Sequence, residues 1–281
     1  MDTLEDLENY KLHRRFDRMG RLIGDTKMKK LMDSHVMVIG LGGVGSWAAE
    51  AVVRSGVGKV SVVDFDEICI TNANRQLHAL SGLVGKHKAE VMAERLVKVN
   101  PQAKIVSHVK FYNADSSDEL FADRPDYVID AIDNITAKCH LLNRCHKDGI
   151  PIVTSTGSGG KMDPTQIKVM DLSETEVDPL ARSVRKILRG QYDFPATGKF
   201  GITAVVSTEA HMDPEELHYD QGKGFKCVCP QGENSLHGCD KRNVILGTAG
   251  FVTGTFGLIA ASVAVRGILE ASAVHSEAAV L

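Results

Sequence analysis

The sequence predicts an α/β fold, a Rossmann-like, doubly wound and mostly parallel sheet with an elaborated C-terminal portion. Three observations predict it. Short apolar runs alternate with helix-like stretches between residues 36 and 155. A glycine turn, Gly40-Leu-Gly42-Gly43-Val-Gly45, joins the first run to the first of those helices. An acidic residue, Asp64, ends the second run about 20 residues later, where a ribose ligand belongs in a nucleotide-binding βαβ unit.

The strands are expected at Val36–Ile39, Val60–Asp64, Lys104–His108, Tyr127–Ala131 and Ile152–Ser155, and helices at Gly45–Ser55, Lys86–Val99 and Ile135–Asp148. Within the second helix Val91, Leu96 and Val99 share an apolar side, and Asn100-Pro101 stops it. After the flexible Ser155–Gly160 stretch the pattern changes. A short strand is expected at Asp163–Asp171, a helix begun by Asp-Pro at Asp178–Arg189, and a β-branched strand at Ile202–Ser207. His211–Cys239 is polar and turn-rich, without clear periodicity. The organisation expected is an N-terminal arm or helices at 1–30, a nucleotide-binding core at 31–156 and a substrate-binding extension at 157–281, forming one continuous domain.

Composition is that of a soluble globular chain: 281 residues, 43% hydrophobic, 25% charged and a net charge of −3. No global basic field announces nucleic acid, so any RNA contact must come from a local patch. Six cysteines without a signal-like leader point to a reducing cytoplasm rather than a disulfide framework. Residues 243–265 carry no charge and have the length of a membrane span. Their Gly, Thr, Ala and Ser content instead favours a helix buried in the core or at a subunit interface, with membrane association the minority reading.

Three constellations bear on chemistry. The glycines Gly40, Gly42, Gly43 and Gly45 let backbone approach phosphate at a helix N-terminus. After Asp64 and Asp66 comes Thr71-Asn72-Ala-Asn74-Arg75-Gln76, whose amides and guanidinium suit a triphosphate. Lys88 offers a second cation. Asp133 and Asn134, at a strand's C-terminal end, suit Mg²⁺ and nucleotide respectively, or a helix N-cap. A nicotinamide oxidoreductase has no evident use for Arg75 and Lys88.

The motifs GLGGVGS, DFDEICITNANRQ, VGKHKAE and DAIDN, in this order and spacing, closely resemble the adenylating domain of the ubiquitin-activating-enzyme-like family. The resemblance covers roughly residues 15–156. It implies that Gly43, Asp64, Thr71–Arg75, Lys88, Asp133 and Asn134 contact ATP while a carboxylate attacks it. It also implies a homodimer in which an N-terminal arginine (Arg15, Arg18 or Arg21) reaches the partner's site.

The second half lacks the paired Cys-x-x-Cys zinc motifs of the branch that activates sulfur carriers. Cys227-Val-Cys229 has the wrong spacing, although a site from Cys227, Cys229, His237 and Cys239 is conceivable. The segments TSTGSGGKMDPTQIKVMDLSETEVDPLARSVRKILR, VVSTEA and TAGFVTGTFGLIAASVA are similar instead to a tRNA-modifying branch. That branch adenylates a carboxylate on a modified anticodon-loop adenosine and closes it to a cyclic form with loss of AMP. For such a substrate Arg182, Arg185, Lys186 and Arg189, at i, i+3, i+4 and i+7, form a basic stripe that Lys161 and Lys168 extend. Cys239, just before the final apolar helix, is the first choice for an acyl carrier, though HGCDKRNVILGTAG departs from the branch pattern by a few inserted residues. The alternatives are an adenylating activator of a ubiquitin-like sulfur carrier, a nicotinamide-dependent oxidoreductase and a non-catalytic sulfur-relay scaffold; sulfur-relay proteins are possible partners.

Overall fold

The computed structural model describes residues 14–218 and 246–271. In the described residues, seven strands form one sheet in the order β3-β2-β1-β4-β5-β7-β6. They are β1 (His35–Ile39), β2 (Lys59–Val63), β3 (Lys104–His108), β4 (Tyr127–Asp130), β5 (Ile152–Ser155), β6 (Ile167–Asp171) and β7 (Thr203–Ser207). All neighbouring pairs are parallel except β6 with β7. The helices are α1 (Asp17–Ile23), α2 (Asp25–Asp33), α3 (Gly45–Arg54), α4 (Lys88–Val99), α5 (Ala114–Leu120), α6 (Ile135–Asp148), α7 (Pro179–Gln191) and α8 (Gly250–Glu270).

The central strands β1, β4 and β5 are buried along their whole length because helices cover both faces of the sheet. Val36 and Val38 of β1 point into one core with α3, α4 and α8, whereas Met37 and Ile39 point into a second core with α6 and α7. The two-residue period of the strand thus sorts one apolar run between two layers. Parallel register then aligns the strand ends: Ile39 pairs with Val63 on one side and with Asp130 on the other. The turns that follow, at Gly40, Asp64 and Ala131, therefore open at one level. This is the switch point between β1 and β4, where open α/β sheets bind ligands.

The uncharged C-terminal stretch is a core helix. α8 is long and apolar enough to cross a membrane, yet 61% of its most apolar window is buried inside the chain. It begins at Gly250 rather than 243 and continues past Arg266 to Glu270. Phe256, Ala260, Ala261 and Ala264 are buried against the sheet and α3. A Cβ at Gly257 would overlap the Val44 carbonyl oxygen, so its small side brings α8 onto α3 rather than onto lipid.

One helix has no counterpart in the sequence reading. α5 begins at Asn113, whose side chain accepts the Ser116 N–H at 2.9 Å while the Ser116 hydroxyl takes the Asn113 N–H at 3.0 Å. α1 and α2 give helical form to part of the segment read as an arm or helices.

Candidate active site

The glycine turn works through contacts that only glycine allows. Gly40 adopts φ +88°, and a Cβ there would lie 2.7 Å from the Ala131 carbonyl oxygen. A Cβ at Gly45 would overlap the Gly40 carbonyl oxygen. The chain therefore folds back on itself tightly enough for α3 to start at Gly45, with its first N–H groups aimed at the mouth of the sheet.

Asp64 stands at the end of β2, buried, and closes the turn from the other side. One carboxylate oxygen accepts the Leu41 N–H at 2.6 Å and the other the Asp66 N–H at 2.8 Å. Burial pushes its pKa up, and the Lys88 ammonium pulls it back. Each oxygen retains a second lone pair, so a ribose hydroxyl can still donate to it.

Lys88 is buried rather than solvated. The loop between Asp64 and α4 returns through a bridge of Glu67 with His87, and the Lys88 N–H donates to the Asp66 carbonyl at 2.9 Å. Its ammonium lies 2.7 Å from the Asp66 carboxylate. Burial opposes the charge, but Asp64, Asp66 and Asp133 together outweigh burial and hold the Lys88 pKa above the ordinary lysine value. Lys88 is therefore a fixed cation facing three carboxylates, a place that anionic phosphates with a metal ion would also balance.

The intervening segment is similarly fixed. Asn72 is buried and its Oδ1 accepts the Cys69 N–H at 2.9 Å. The Arg75 guanidinium donates to the Thr71 carbonyl and to Asn74 Oδ1, both at 3.0 Å. Asn74 Nδ2 donates to the Thr248 carbonyl at 2.9 Å, and a Cβ at Gly43 would meet the Thr253 hydroxyl at 3.0 Å. Residues just before and within α8 thus pack directly on the glycine turn and the Arg75 segment. Asp133 is exposed at the mouth, and Asn134 caps α6 by accepting the Ala137 N–H at 3.0 Å. Gly40–Gly45, Asp64, Asp66, Lys88 and Asp133 are brought together.

Other expected residues stand apart. Arg15 donates to the Val99 carbonyl at 3.2 Å, at the end of α4 remote from Lys88. Lys88 and Val99 stand eleven residues apart at the two ends of α4, about 17 Å. Arg18 is exposed, and Arg21 pairs with Asp17 at 2.9 Å. Of the basic stripe, Arg182 and Lys186 are exposed, but Arg185 is half-buried and donates to the Thr175 hydroxyl. Arg189 lies 4.9 Å over the Phe200 ring and donates to the Pro195 carbonyl. Lys161 does not extend the stripe: it is buried and its ammonium is held by the Glu209 carbonyl. Lys168 is exposed on edge strand β6.

Cys239 and the conceivable zinc set with Cys227, Cys229 and His237 lie outside the described residues. Cys69, Cys139 and Cys145 are buried and form no disulfide among the described residues. Burial pushes Cys139 up to about 11 and Cys145 up to about 12, which keeps both as inert thiols.

The model of the ThiF family matches residues 16–280. The chain belongs to the ThiF family. Among its ThiF relatives, the tRNA threonylcarbamoyladenosine dehydratase of Escherichia coli is 40% identical over 92% of this chain and 95% of that one. The enzyme of the same name from Bacillus subtilis is 39% identical over 79% of this chain and 87% of its own. A crystal structure of the E. coli enzyme in complex with ATP superimposes with a TM-score of 0.79 at 38% identity, covering 92% of this chain and 96% of that one. These similarities extend well beyond residue 156, into the half that separates branches of the family.

Proposed function

We propose that this ThiF-family chain is an ATP-dependent tRNA threonylcarbamoyladenosine dehydratase. The Lys88 constellation, a buried cation among Asp64, Asp66 and Asp133 at the mouth of a glycine turn, supports adenylation, and the observation that carries the tRNA substrate is the similarity that runs on through the second half of the chain. Dehydration within the modified base joins its urea group to its own threonyl carboxylate. A carboxylate oxygen is a poor leaving group, so it first attacks the α-phosphorus of ATP and releases pyrophosphate. The urea nitrogen or oxygen then attacks the acyl carbon, the ring closes and AMP departs with the electron pair. Both reacting ends belong to one molecule, which removes the need to capture a second substrate. In this reading Asp64 holds the ribose, Gly43 and the first turn of α3 meet the phosphates, Arg75 and Lys88 balance their charge, and Asn72, Asn74, Thr71 and Asn134 shape the pocket.

Magnesium fits the site with Asp133 as its protein ligand. Among the described residues no group of three or more His, Cys, Asp or Glu side chains could hold a metal ion. Mg²⁺ needs only one or two carboxylates when phosphates and water supply the remainder. Bound there, it would neutralise charge on the polyphosphate.

The assembly we infer is a homodimer. Arg15 is held at the Val99 end of α4, the opposite end of that helix from Lys88 of its own chain. A largely apolar groove of about 560 Å³ is lined by Met19, Trp47, Ala51, Leu77 and Leu258 with Glu50, Arg54 and Arg95 beside them, and Phe251 is exposed two turns before Leu258 on the same face of α8. Leu258→Asp is expected to convert a dimer to monomers, read by sedimentation velocity; a dimer unchanged at micromolar concentration would remove this surface from consideration.

For tRNA, Arg182 and Lys186 are the exposed cations of α7 that hold no partner among the described residues, so the pair Arg182→Glu and Lys186→Glu is the clean test, rather than Arg185, which holds Thr175. The double variant should weaken tRNA binding, leave ATP affinity unchanged and flatten the slope of log K against log salt by about 1.5. An unchanged slope would show that α7 does not meet phosphate.

The function as a whole is tested by pyrophosphate release from purified protein with tRNA bearing or lacking threonylcarbamoyladenosine. Release only with the modified tRNA, together with appearance of the cyclic base, is the expected outcome. Release driven by a sulfur-carrier protein C-terminus would favour the other adenylating branch, and NAD(H) turnover without ATP use would favour an oxidoreductase.

A further inference from the structure

Among the buried charges outside the constellation just described, Lys138 has the most complete set of partners. Lys138, in the first turns of α6, is 2% exposed at its side chain, and its partner Asp130 is fully buried. The ammonium lies 2.6 Å from Asp130 Oδ2, 3.0 Å from the Thr154 hydroxyl and 3.0 Å from the Ser155 carbonyl. Three donors thus meet three acceptors. The Thr154 hydroxyl itself donates to Asp130 Oδ2 at 2.6 Å. The remaining oxygen of Asp130 accepts the Ile132 N–H at 3.0 Å, and the Ala131 N–H continues the β1 ladder to the Ile39 carbonyl at 2.9 Å.

Lys138 therefore ties three elements together at one point: the end of β4, the end of β5 and the start of α6. Directly above lie the turn that delivers Asp133 and the loop that leaves β5 at Thr156. A buried ion pair is weak evidence for stability, because its desolvation cost offsets its attraction. What this network provides is direction: it fixes a short turn whose next side chain faces the phosphates. The pair is also net neutral, so it adds little field at the nucleotide.

We propose that Lys138 is a positioning residue for adenylation, holding the Ala131–Asp133 turn and the β5 exit loop in the geometry the reacting phosphate requires. The proposal rests on the reading of Asp133 given above. Because the network acts through geometry and not through charge, its loss affects the chemical step more than ATP capture.

The test compares Lys138→Met, Lys138→Arg, Thr154→Val and Asp133→Ala with the wild-type chain. It measures pyrophosphate release with modified tRNA and hydrogen–deuterium exchange at the Ile132 amide. Lys138→Met is expected to lower kcat about 10–100-fold while KM for ATP stays within about threefold. Exchange at Ile132 should quicken, and Lys138→Arg should restore most of the rate. Thr154→Val, which keeps the volume and strands no charge, should shift both readouts the same way to a smaller extent. It decides the matter if Lys138→Met does not fold. Wild-type kcat and unchanged Ile132 exchange in a folded Lys138→Met or Thr154→Val chain would overturn the proposal. Pyrophosphate release retained by Asp133→Ala would instead overturn the reading of Asp133 on which the proposal rests, while Ile132 exchange would still judge the strut.

Discussion

Replacing Asp133 with alanine is expected to lower pyrophosphate release at least about 100-fold while leaving the fold in place. The side chain is exposed and follows a turn already pinned from below by Asp130 and from the side by the β1 ladder. The exposed side chain leaves no cavity in the core when it is removed, so stability should change by no more than about 0.5 kcal/mol. Its carboxylate is nevertheless one of the three that sustain the charge on Lys88. Without it the polyphosphate loses its proposed metal ligand, and Lys88 loses part of its reason to remain oriented toward the mouth. The measurement is pyrophosphate release at saturating ATP beside a melting curve. Full activity in the folded variant would remove Asp133 from the reacting centre.

The second large effect is expected at Gly45. An alanine methyl would overlap the Gly40 carbonyl oxygen, and Gly40 cannot retreat because Ala131 already stands 2.7 Å from where its own Cβ would be. The strain is therefore shared by β1, β4 and α3. We expect Gly45→Ala to cost about 2–4 kcal/mol. The melting temperature should fall by about 5–10 °C. ATP binding should weaken at least about tenfold, because the first turn of α3 can no longer present its N–H groups in place. Gly190→Ala is the control: nothing lies within 4 Å of a Cβ there, and helix α7 should tolerate or welcome it. A Gly45→Ala chain that melts with the wild type and binds ATP normally would contradict the close-approach account of the turn.

The first half of the fold was legible because its signals are local. β3 and β5 occupy the residues that the apolar runs mark, and α6 spans Ile135–Asp148 as read. Strands buried on both faces leave continuous apolar stretches, and each helix between them keeps one apolar side. α5 escaped notice because ADSSDEL carries almost no apolar period; its start is written instead in the Asn113–Ser116 capping pair, which lacks the usual Glu. The candidate site was legible as a list but not as an arrangement. Sequence places Lys88 at a helix start, where lysines are ordinarily solvated. Its burial depends on a loop of more than 20 residues folding back to set Asp66 beside it. Lys161 is the converse case, a lysine that spacing assigned to a surface stripe and that tertiary contact with Glu209 takes inside. Composition alone left α8 open between lipid and core, since both accept small residues; packing against α3 decides it.

The contact between α8 and the glycine turn bears on how the enzyme comes into being. A ribosome delivers Gly43 and Asn74 more than 170 residues before it delivers Thr248 and Thr253, which pack against them. The nascent chain can assemble its central strands early, yet the nucleotide pocket acquires its outer wall only when the last stretch has emerged. Synthesis cut short before that point yields a protein with the motifs in place and the pocket unfinished.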